Sequence, residues 1–426
     1  MHTQIARACL AAAVAAAALP AHADDAARLK EIESRLDASL KTIQALQKRV
    51  EELEAAKKPT TAPAAGEWGA RIENVERSVA QIEAASAAAA QADTGLPIHG
   101  FADVGGGLRN AAAAGSAPRG FNVGVFDLYM TPQISAQVKG LVEIAFEYED
   151  SGELAVDVER MQLGYVFSDA LTLWAGRFHT PYGYWNTAFH HGAQIQTALS
   201  RPRFLEFEDA GGILPAHSVG LWATGGARTG AGRLGYDLYV VNGDAIKAGT
   251  LDYQALGDGD GSVGLGFRTQ LAVAGSGLVL GLHGLTQRAG GSNADASASG
   301  AARVNMLGAY ATFDNDDWEL MAEYYGFRNR DLAGSGSHGS NAWYAQAGYN
   351  LGESFTPYAR YERSSLAAAD PYFALQENGR SYRRTVAGLR YNVSPKSALK
   401  AEWMRTTQDG VDGTPSSLAL QYSVRF

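Results

Sequence analysis

Cysteine is all but absent from this chain of 426 residues: the only one, Cys9, falls in the opening stretch. There Arg7 supplies a basic start, an Ala-rich apolar run extends from Cys9 to Leu19, and Ala21-His22-Ala23 forms a small-x-small site before Asp24. That pattern reads as an export signal over residues 1–23, and its apolar run is too short to span a bilayer as an anchor. Once the signal is removed no cysteine remains, which excludes a disulfide, a haem thioether and a thiolate metal site. Long apolar runs are missing as well. After the signal there is no uninterrupted stretch of about 18 apolar residues, so helical membrane spans are excluded. Basic charge is short too: without Arg7, 35 Lys and Arg stand against 45 Asp and Glu, a net charge of −10 that argues against nucleic acid as a partner.

Signatures of catalysis and metal binding are also lacking. No Gly-x-Ser-x-Gly elbow holds a nucleophile and no carboxylate pair stands apart, so no enzyme is expected. His179, His190, His191 and His217 lie close in sequence. However, His190 and His191 are adjacent, not i, i+4 apart on a helix, and no compact ligand spacing surrounds them. No metal and no cofactor are expected.

What the chain does contain is pattern. Between Leu29 and Lys57 the period is seven, with Leu29, Leu36, Ile43 and Val50 at one core position and Ile32, Ser39, Leu46 and Leu53 at the other. Four heptads in a charged surround predict a coiled coil over residues 24–58, with a solitary amphipathic helix as the alternative. A single helix of this length buries its stripe only against a partner, so self-association is implied; the heptads do not set the number of chains. Pro59 ends the helix. Residues 59–96 form a linker and a short amphipathic helix carrying Ile72, Val75, Val79 and Ile82.

From Pro97 onward the period is two. Strands are predicted at 98–109, 121–130, 134–148, 153–167, 170–178, 216–227, 231–243, 262–274, 277–289, 301–313, 316–329, 340–350, 353–364, 381–392, 396–406 and 414–426. Leu278, Leu280 and Leu282 alternate with His283 and Gln287 on the other face, and Trp318, Leu320 and Tyr324 alternate with Glu319 and Glu323. In the last strand Leu418, Leu420, Tyr422, Val424 and Phe426 share one face. Such a two-sided pattern fits a sheet with lipid on one side and a wet interior on the other. Tight turns such as Ser168-Asp169, Asp314-Asn315 and Ser394-Pro395 alternate with longer connections, as an outer-membrane barrel requires and a soluble sandwich does not. The predicted fold class is therefore all-β, a 16-stranded antiparallel transmembrane β-barrel over residues 97–426 behind an N-terminal α-helical coiled-coil segment. An even strand number puts both barrel ends on the short-turn, periplasmic side. Tyr129, Phe167, Phe178, Trp318, Tyr349 and Phe426 are candidates for the interfacial aromatic girdles.

The longest connection, 179–215, is too aromatic for a loop in water. Folded inward it would narrow a channel, and Tyr182, Tyr184, His190, His191, Arg201, Arg203, Glu206, Glu208 and Asp209 are the constriction candidates. On the polar strand faces the lumen candidates are Lys139, Glu143, Arg177, Asp237, His283, Arg303, Glu319, Glu323, Arg360, Glu362, Lys400 and Glu402. From Pro97 onward 25 basic residues face 32 acidic ones, without the basic excess that selection of small anions calls for. These charges can equally serve as interior salt bridges.

With the signal, sixteen strands, long third loop and the closing Leu420, Tyr422, Val424, Phe426 alternation in place, the chain resembles bacterial outer-membrane porins. The terminal alternation resembles the family's signal to the barrel assembly machinery. The added coiled coil resembles that of trimeric, substrate-selective porins of the phosphate-selective and dicarboxylate-type groups. The resemblance implies a trimer in outer-membrane lipid with the coiled coil in the periplasm, and 179–215 as constriction loop. Only Lys139, Lys247, Lys396 and Lys400 occur after Pro97, a departure from a phosphate-type lysine ladder. The expected function is passive diffusion of small hydrophilic solutes; the alternative is a barrel that serves as a structural or docking partner of another envelope protein.

Overall fold

A computed structural model describes residues 98–109, 120–148, 152–189, 192–252, 257, 261–334 and 336–426. The export signal, the coiled coil, the linker with its short helix, and His190 and His191 lie outside the described residues.

Among the described residues eighteen strands form one sheet. In chain order they are β1 (Ile98–Arg109), β2 (Gly120–Met130), β3 (Val138–Tyr148), β4 (Leu154–Ser168), β5 (Leu171–His179), β6 (His217–Thr229), β7 (Gly232–Asn242), β8 (Asp244–Lys247), β9 (Thr250–Asp252), β10 (Val263–Val273), β11 (Leu278–Ser292), β12 (Ser299–Asp314), β13 (Trp318–Asp331), β14 (Ser337–Tyr349), β15 (Phe355–Ser365), β16 (Tyr382–Ser394), β17 (Ser397–Gln408) and β18 (Ser416–Arg425). All but β8 and β9 make the wall: each pairs antiparallel with its neighbour, and β1 pairs with both β2 and β18. The result is a closed 16-stranded antiparallel barrel. Closure gives every wall strand a partner on each side, the condition for crossing lipid with strands, because an unpaired backbone group there has no water to bond.

Alternation decides which side chains meet which medium. On β18 Leu418, Leu420 and Tyr422 are exposed on the outside while Ser423 is buried, and Gln421 donates to Asp103 at 3.0 Å across the seam. On β13 Trp318, Leu320, Ala322 and Tyr324 point out and Met321, Glu323 and Tyr325 point in. The seam is tightened by Phe426. Its backbone exchanges hydrogen bonds with Gly100 at 3.1 and 3.2 Å and its ring stacks on Phe126 at 5.9 Å. A Cβ on Gly100 would lie 2.6 Å from that ring, so only glycine lets the aromatic cross there.

Several details depart from the reading by pattern. The turn after β2 runs on through Ile134, whose N–H bonds the Val138 carbonyl at 3.0 Å, so β3 starts four residues late. In β4 the register slips between Glu143 and Ile144 of its partner, and a β-bulge turns both Glu159 and Arg160 away from lipid. Phe178 is no girdle residue: it is fully buried against Trp222 at 5.5 Å. The connection after β7 contains the β8–β9 hairpin, which adds to β11 in parallel. The connection 366–381 contains a short helix, Pro371–Ala374, whose Asp370 caps the Tyr372 N–H at 3.0 Å. Period-two reading misses these pieces because their partners are distant in sequence.

Candidate functional site: a loop held inside the barrel

Residues 180–216 bend into the barrel. An irregular segment carries backbone donors and acceptors that no sheet neighbour satisfies, and inside a closed wall these must be met by side chains. The wall supplies them, mostly from charged residues, which bond more strongly than neutral ones. Glu323 on β13 accepts the Tyr184 and Trp185 N–H groups at 2.8 and 2.7 Å, together with the Tyr325 and Tyr344 hydroxyls at 2.7 and 2.6 Å. Glu319 accepts the Thr197 hydroxyl. On β15 Arg360 donates to the Ser200 and Arg201 carbonyls at 2.9 and 3.0 Å and to Glu362 at 2.9 Å, and Glu362 accepts the Arg203 N–H at 2.8 Å. On β17 Lys400 donates to the Ala198 carbonyl at 3.1 Å and Glu402 accepts the Leu199 N–H at 2.9 Å.

Apolar packing completes the attachment. Tyr182, Trp185, Phe204, Leu205, Ile213 and Leu214 are buried with Tyr325, Phe327 and Tyr344 of the wall in one cluster. Trp185 meets Tyr344 edge-on at 5.8 Å, and the Tyr372 hydroxyl of the 366–381 connection bonds the Ile213 carbonyl at 2.7 Å. Gly183 has φ +60°, and a Cβ there would collide with the Tyr325 hydroxyl and Glu323. The short helix Trp185–Ala188 starts directly after this approach, with its Thr187 hydroxyl accepting from Arg268 at 2.7 Å.

The other wall candidates divide three ways. Asp237 is buried between Arg268 at 2.8 Å and the Trp222 ring N–H at 2.9 Å. His283 is fully buried 4.7 Å from the Tyr325 ring, and neither ring nitrogen finds a hydrogen-bond partner among the described residues. Glu143 pairs with Arg160 and lies 3.2 Å from His179, while Arg177 lies 3.9 Å from Glu159. Lys139 is exposed at the short-turn end of β3. Arg303 does not face the interior. It is exposed between the buried Ala302 and Val304, which places it on the outer face of β12 and corrects the expectation of a lumen position.

Within the loop, the two arginines are tied down. Arg201 donates to the Leu205 carbonyl at 2.9 Å and lies 4.0 Å over the Phe207 ring; Arg203 donates to Asn378 at 2.7 Å and Gln408 at 2.8 Å. Tyr184 is half-buried against Phe189, and Glu208 accepts the His217 N–H at 2.9 Å. Asp209 is exposed, whereas Glu206 is half-buried near Arg201 and Arg384. The Glu206 carboxylate accepts no hydrogen bond among the described residues, and removal from water pushes its pKa up to about 7. Asp127, Glu159, Arg268, Arg384 and Arg390 are inward charges that the strand reading did not single out. Arg390 bonds the Gln196 carbonyl at 2.8 Å. Asp127 stands between Phe126 and Leu128 and Arg390 between Leu389 and Tyr391, and there the alternation was the available signal; Glu159 and Arg384 adjoin Arg160 and Arg383, where it was not.

No family model matches the chain, and no curated protein matches it. Solved structures do. An anion-selective porin from Comamonas acidovorans aligns at 13% identity and TM-score 0.54, over 78% of this chain and 99% of that one. The outer membrane channel DcaP of Acinetobacter baumannii aligns at 11% identity and TM-score 0.52, over 78% and 97%. OmpT of Vibrio cholerae in its trimer form aligns at 11% identity and TM-score 0.50, over 78% and 99%. At such identities the likeness is one of fold, and the fold of the described residues is that of the bacterial outer-membrane porins.

Proposed function

We propose that this protein is a passive channel of the bacterial outer membrane for small hydrophilic solutes, narrowed by the inward loop at about 179–215. The observation that carries this reading is the combination of a closed wall, apolar outside and polar within, and a long loop whose backbone is bonded across its interior. A wall of sixteen strands encloses more space than one ordered loop fills, and charged inner faces keep that space wet. With Arg201 and Arg203 engaged and Asp209 exposed, the passage favours cations. The anion selectivity named for the Comamonas porin is that protein's own.

We further propose a homotrimer, as in the OmpT trimer form, with residues 24–58 as a coiled coil reaching into the periplasm. Both wall ends, Ile98 and Arg425, lie on the rim of short turns, which supports that direction. Purified full-length protein in planar bilayers should give multi-step conductance, with a reversal potential of cation sign under a salt gradient. Silence would remove the channel reading and favour a docking role for the barrel. Deleting Tyr184 to Glu208 should raise conductance; an unchanged value would mean that the loop does not limit flow. Deleting Leu29 to Lys57 should lower the chain count seen on crosslinking.

A further inference from the structure

The two limbs of the inward loop are fastened differently. Residues 184–203 hang on the charged side chains of β13, β15 and β17, whereas the returning limb, 204–216, meets the β4 to β5 side of the wall at His217, the first residue of β6. His217 is only 3% exposed. Its backbone N–H donates to one Glu208 oxygen at 2.9 Å, and its ring Nδ1 lies 3.1 Å from the other. Its ring Nε2 stands 2.5 Å from the Glu159 carboxylate of β4. A carboxylate offers only acceptors and a neutral imidazole only one N–H, so carboxylates at both ring nitrogens require the imidazolium. The ring thus joins a loop residue to a wall residue as a cation between two anions.

Its surroundings support that charge. The Phe207 ring lies parallel to the imidazole, with centroids 6.1 Å apart and planes at 14°, and the Arg201 guanidinium sits 4.0 Å over the same Phe207 ring. An aromatic face attracts cations, so Phe207 serves both. Glu159 reaches the joint because the bulge in β4 turns it inward beside Arg160. On β5, His179 stands directly opposite His217 with ring centroids 5.6 Å apart, and it lies 3.2 Å from Glu143; Arg177 lies 3.9 Å from Glu159. Asp244 of β8 is engaged with Gln287. Burial would raise the Glu208 pKa, yet the His217 charge and hydrogen bonds bring it below its ordinary value.

Glu208 also belongs to the turn that borders the passage. The Gly211 and Gly212 N–H groups bond the Glu208 and Phe207 carbonyls at 3.2 and 2.8 Å, which ties 207–212 into one piece. Asp209, next in the chain, is exposed and within electrostatic reach of Glu208, Glu159 and Asp157. Four carboxylates therefore converge where this limb meets the wall, and they repel one another once the cation between them is lost.

We infer that His217 is a positioning residue of the channel: as an imidazolium clasped by Glu159 and Glu208 it latches the returning limb to the wall, keeps both carboxylates paired, and so sets the width and the cation preference of the passage. This rests on the loop narrowing the passage, as proposed above. The latch is complete while both ring nitrogens hold protons. As pH rises and the ring gives one up, only one of the two carboxylates keeps its bond.

The test compares His217→Gln, His217→Arg and Glu159→Gln/His217→Gln with wild type in the full-length protein. Glutamine keeps donors without the charge, and arginine keeps the charge with a fork of donors for two carboxylates. The double variant removes one buried carboxylate along with the cation, so its folding, checked by circular dichroism, does not depend on a second unpaired buried charge. In detergent at neutral pH, a Glu-specific protease should cut after Glu206 or Glu208 about tenfold faster or more in both glutamine variants, as loss of one charge-assisted hydrogen bond requires. His217→Arg should be cut at the wild-type rate. In bilayers, wild-type open-channel noise should rise from neutral into alkaline pH, while His217→Arg stays quiet and His217→Gln is noisy throughout, its reversal potential shifted toward the cation side. Equal cleavage of wild type and both glutamine variants would overturn the proposal, as would an alkaline rise in noise that His217→Arg retains, because packing alone carries no dependence on the charge of the ring. A silent wild type whose glutamine variants are cut faster sinks the channel and leaves the latch; a conducting wild type that those variants match in noise and cleavage sinks the latch and leaves the channel.

Discussion

On the β13 to β17 side of the interior, Glu323, Arg360, Glu362, Lys400 and Glu402 are all buried, and each but Glu362 bonds at least one backbone group of residues 184–201, with Glu362 bonding Arg203. On the β3 to β4 side, Glu147 and Asp157 are half-buried and bond no part of that loop among the described residues. Carboxylates stand on both sides, yet one set anchors a segment and the other faces the passage. Charge inside a barrel thus has two uses, and the partner atom, not the residue type, tells them apart.

The comparison can be broken most sharply at Glu323. Glu323→Ala leaves four donors unmet, and with charge-assisted hydrogen bonds worth about 1.5–3 kcal/mol each the loop should lose its hold. The expected result is noisy, enlarged conductance and cleavage within 184–208 by limited proteolysis, with strand content by circular dichroism unchanged. Stable wild-type conductance would show that the clamp is shared widely enough for Glu323 to be dispensable. Gly183→Ala should act in the same direction with a smaller effect, about 1–2 kcal/mol, because a positive φ is strained for alanine and the added carbon strikes Tyr325.

On the other side, Glu147→Gln/Asp157→Asn should lower the cation preference measured by reversal potential at pH 8 while leaving single-channel noise at the wild-type level. If noise rises instead, those carboxylates also hold the loop. The smallest effect expected is in pH dependence. With its pKa near 7, Glu206 is neutral below that pH and gains its charge above it, so cation preference should rise across this range. Arg201, Arg384, Arg360 and Glu362 supply the surrounding charge. Glu206→Gln should flatten the rise; a curve as steep as in wild type would assign it to another group.

Strand periodicity carried much of this structure in the chain itself. Leu278, Leu280 and Leu282 against His283 and Gln287, or Trp318 and Leu320 against Glu319 and Glu323, announce which side meets lipid, because a period of two admits only two faces. Arg303 shows the limit. It is polar, it lies in a barrel strand, and yet it stands outside, since period two fixes the face of a residue and not the medium that its strand end meets. The connection 180–216 was legible as too aromatic for water, but not as a segment fastened by Glu323, Arg360, Lys400 and Glu402, which are 138 to 207 positions away from the atoms they bond.

The amino-acid order by itself determined that the chain makes alternating strands with one apolar and one polar face, and that these must close, because backbone groups in lipid have no other partner. Only the tertiary structure decided which inward charges anchor the loop, which stay turned to the passage, and that Arg303 stands on the outer face. Those are distances between residues far apart in the chain, set by register and by a bulge at Glu159, and no local pattern encodes them.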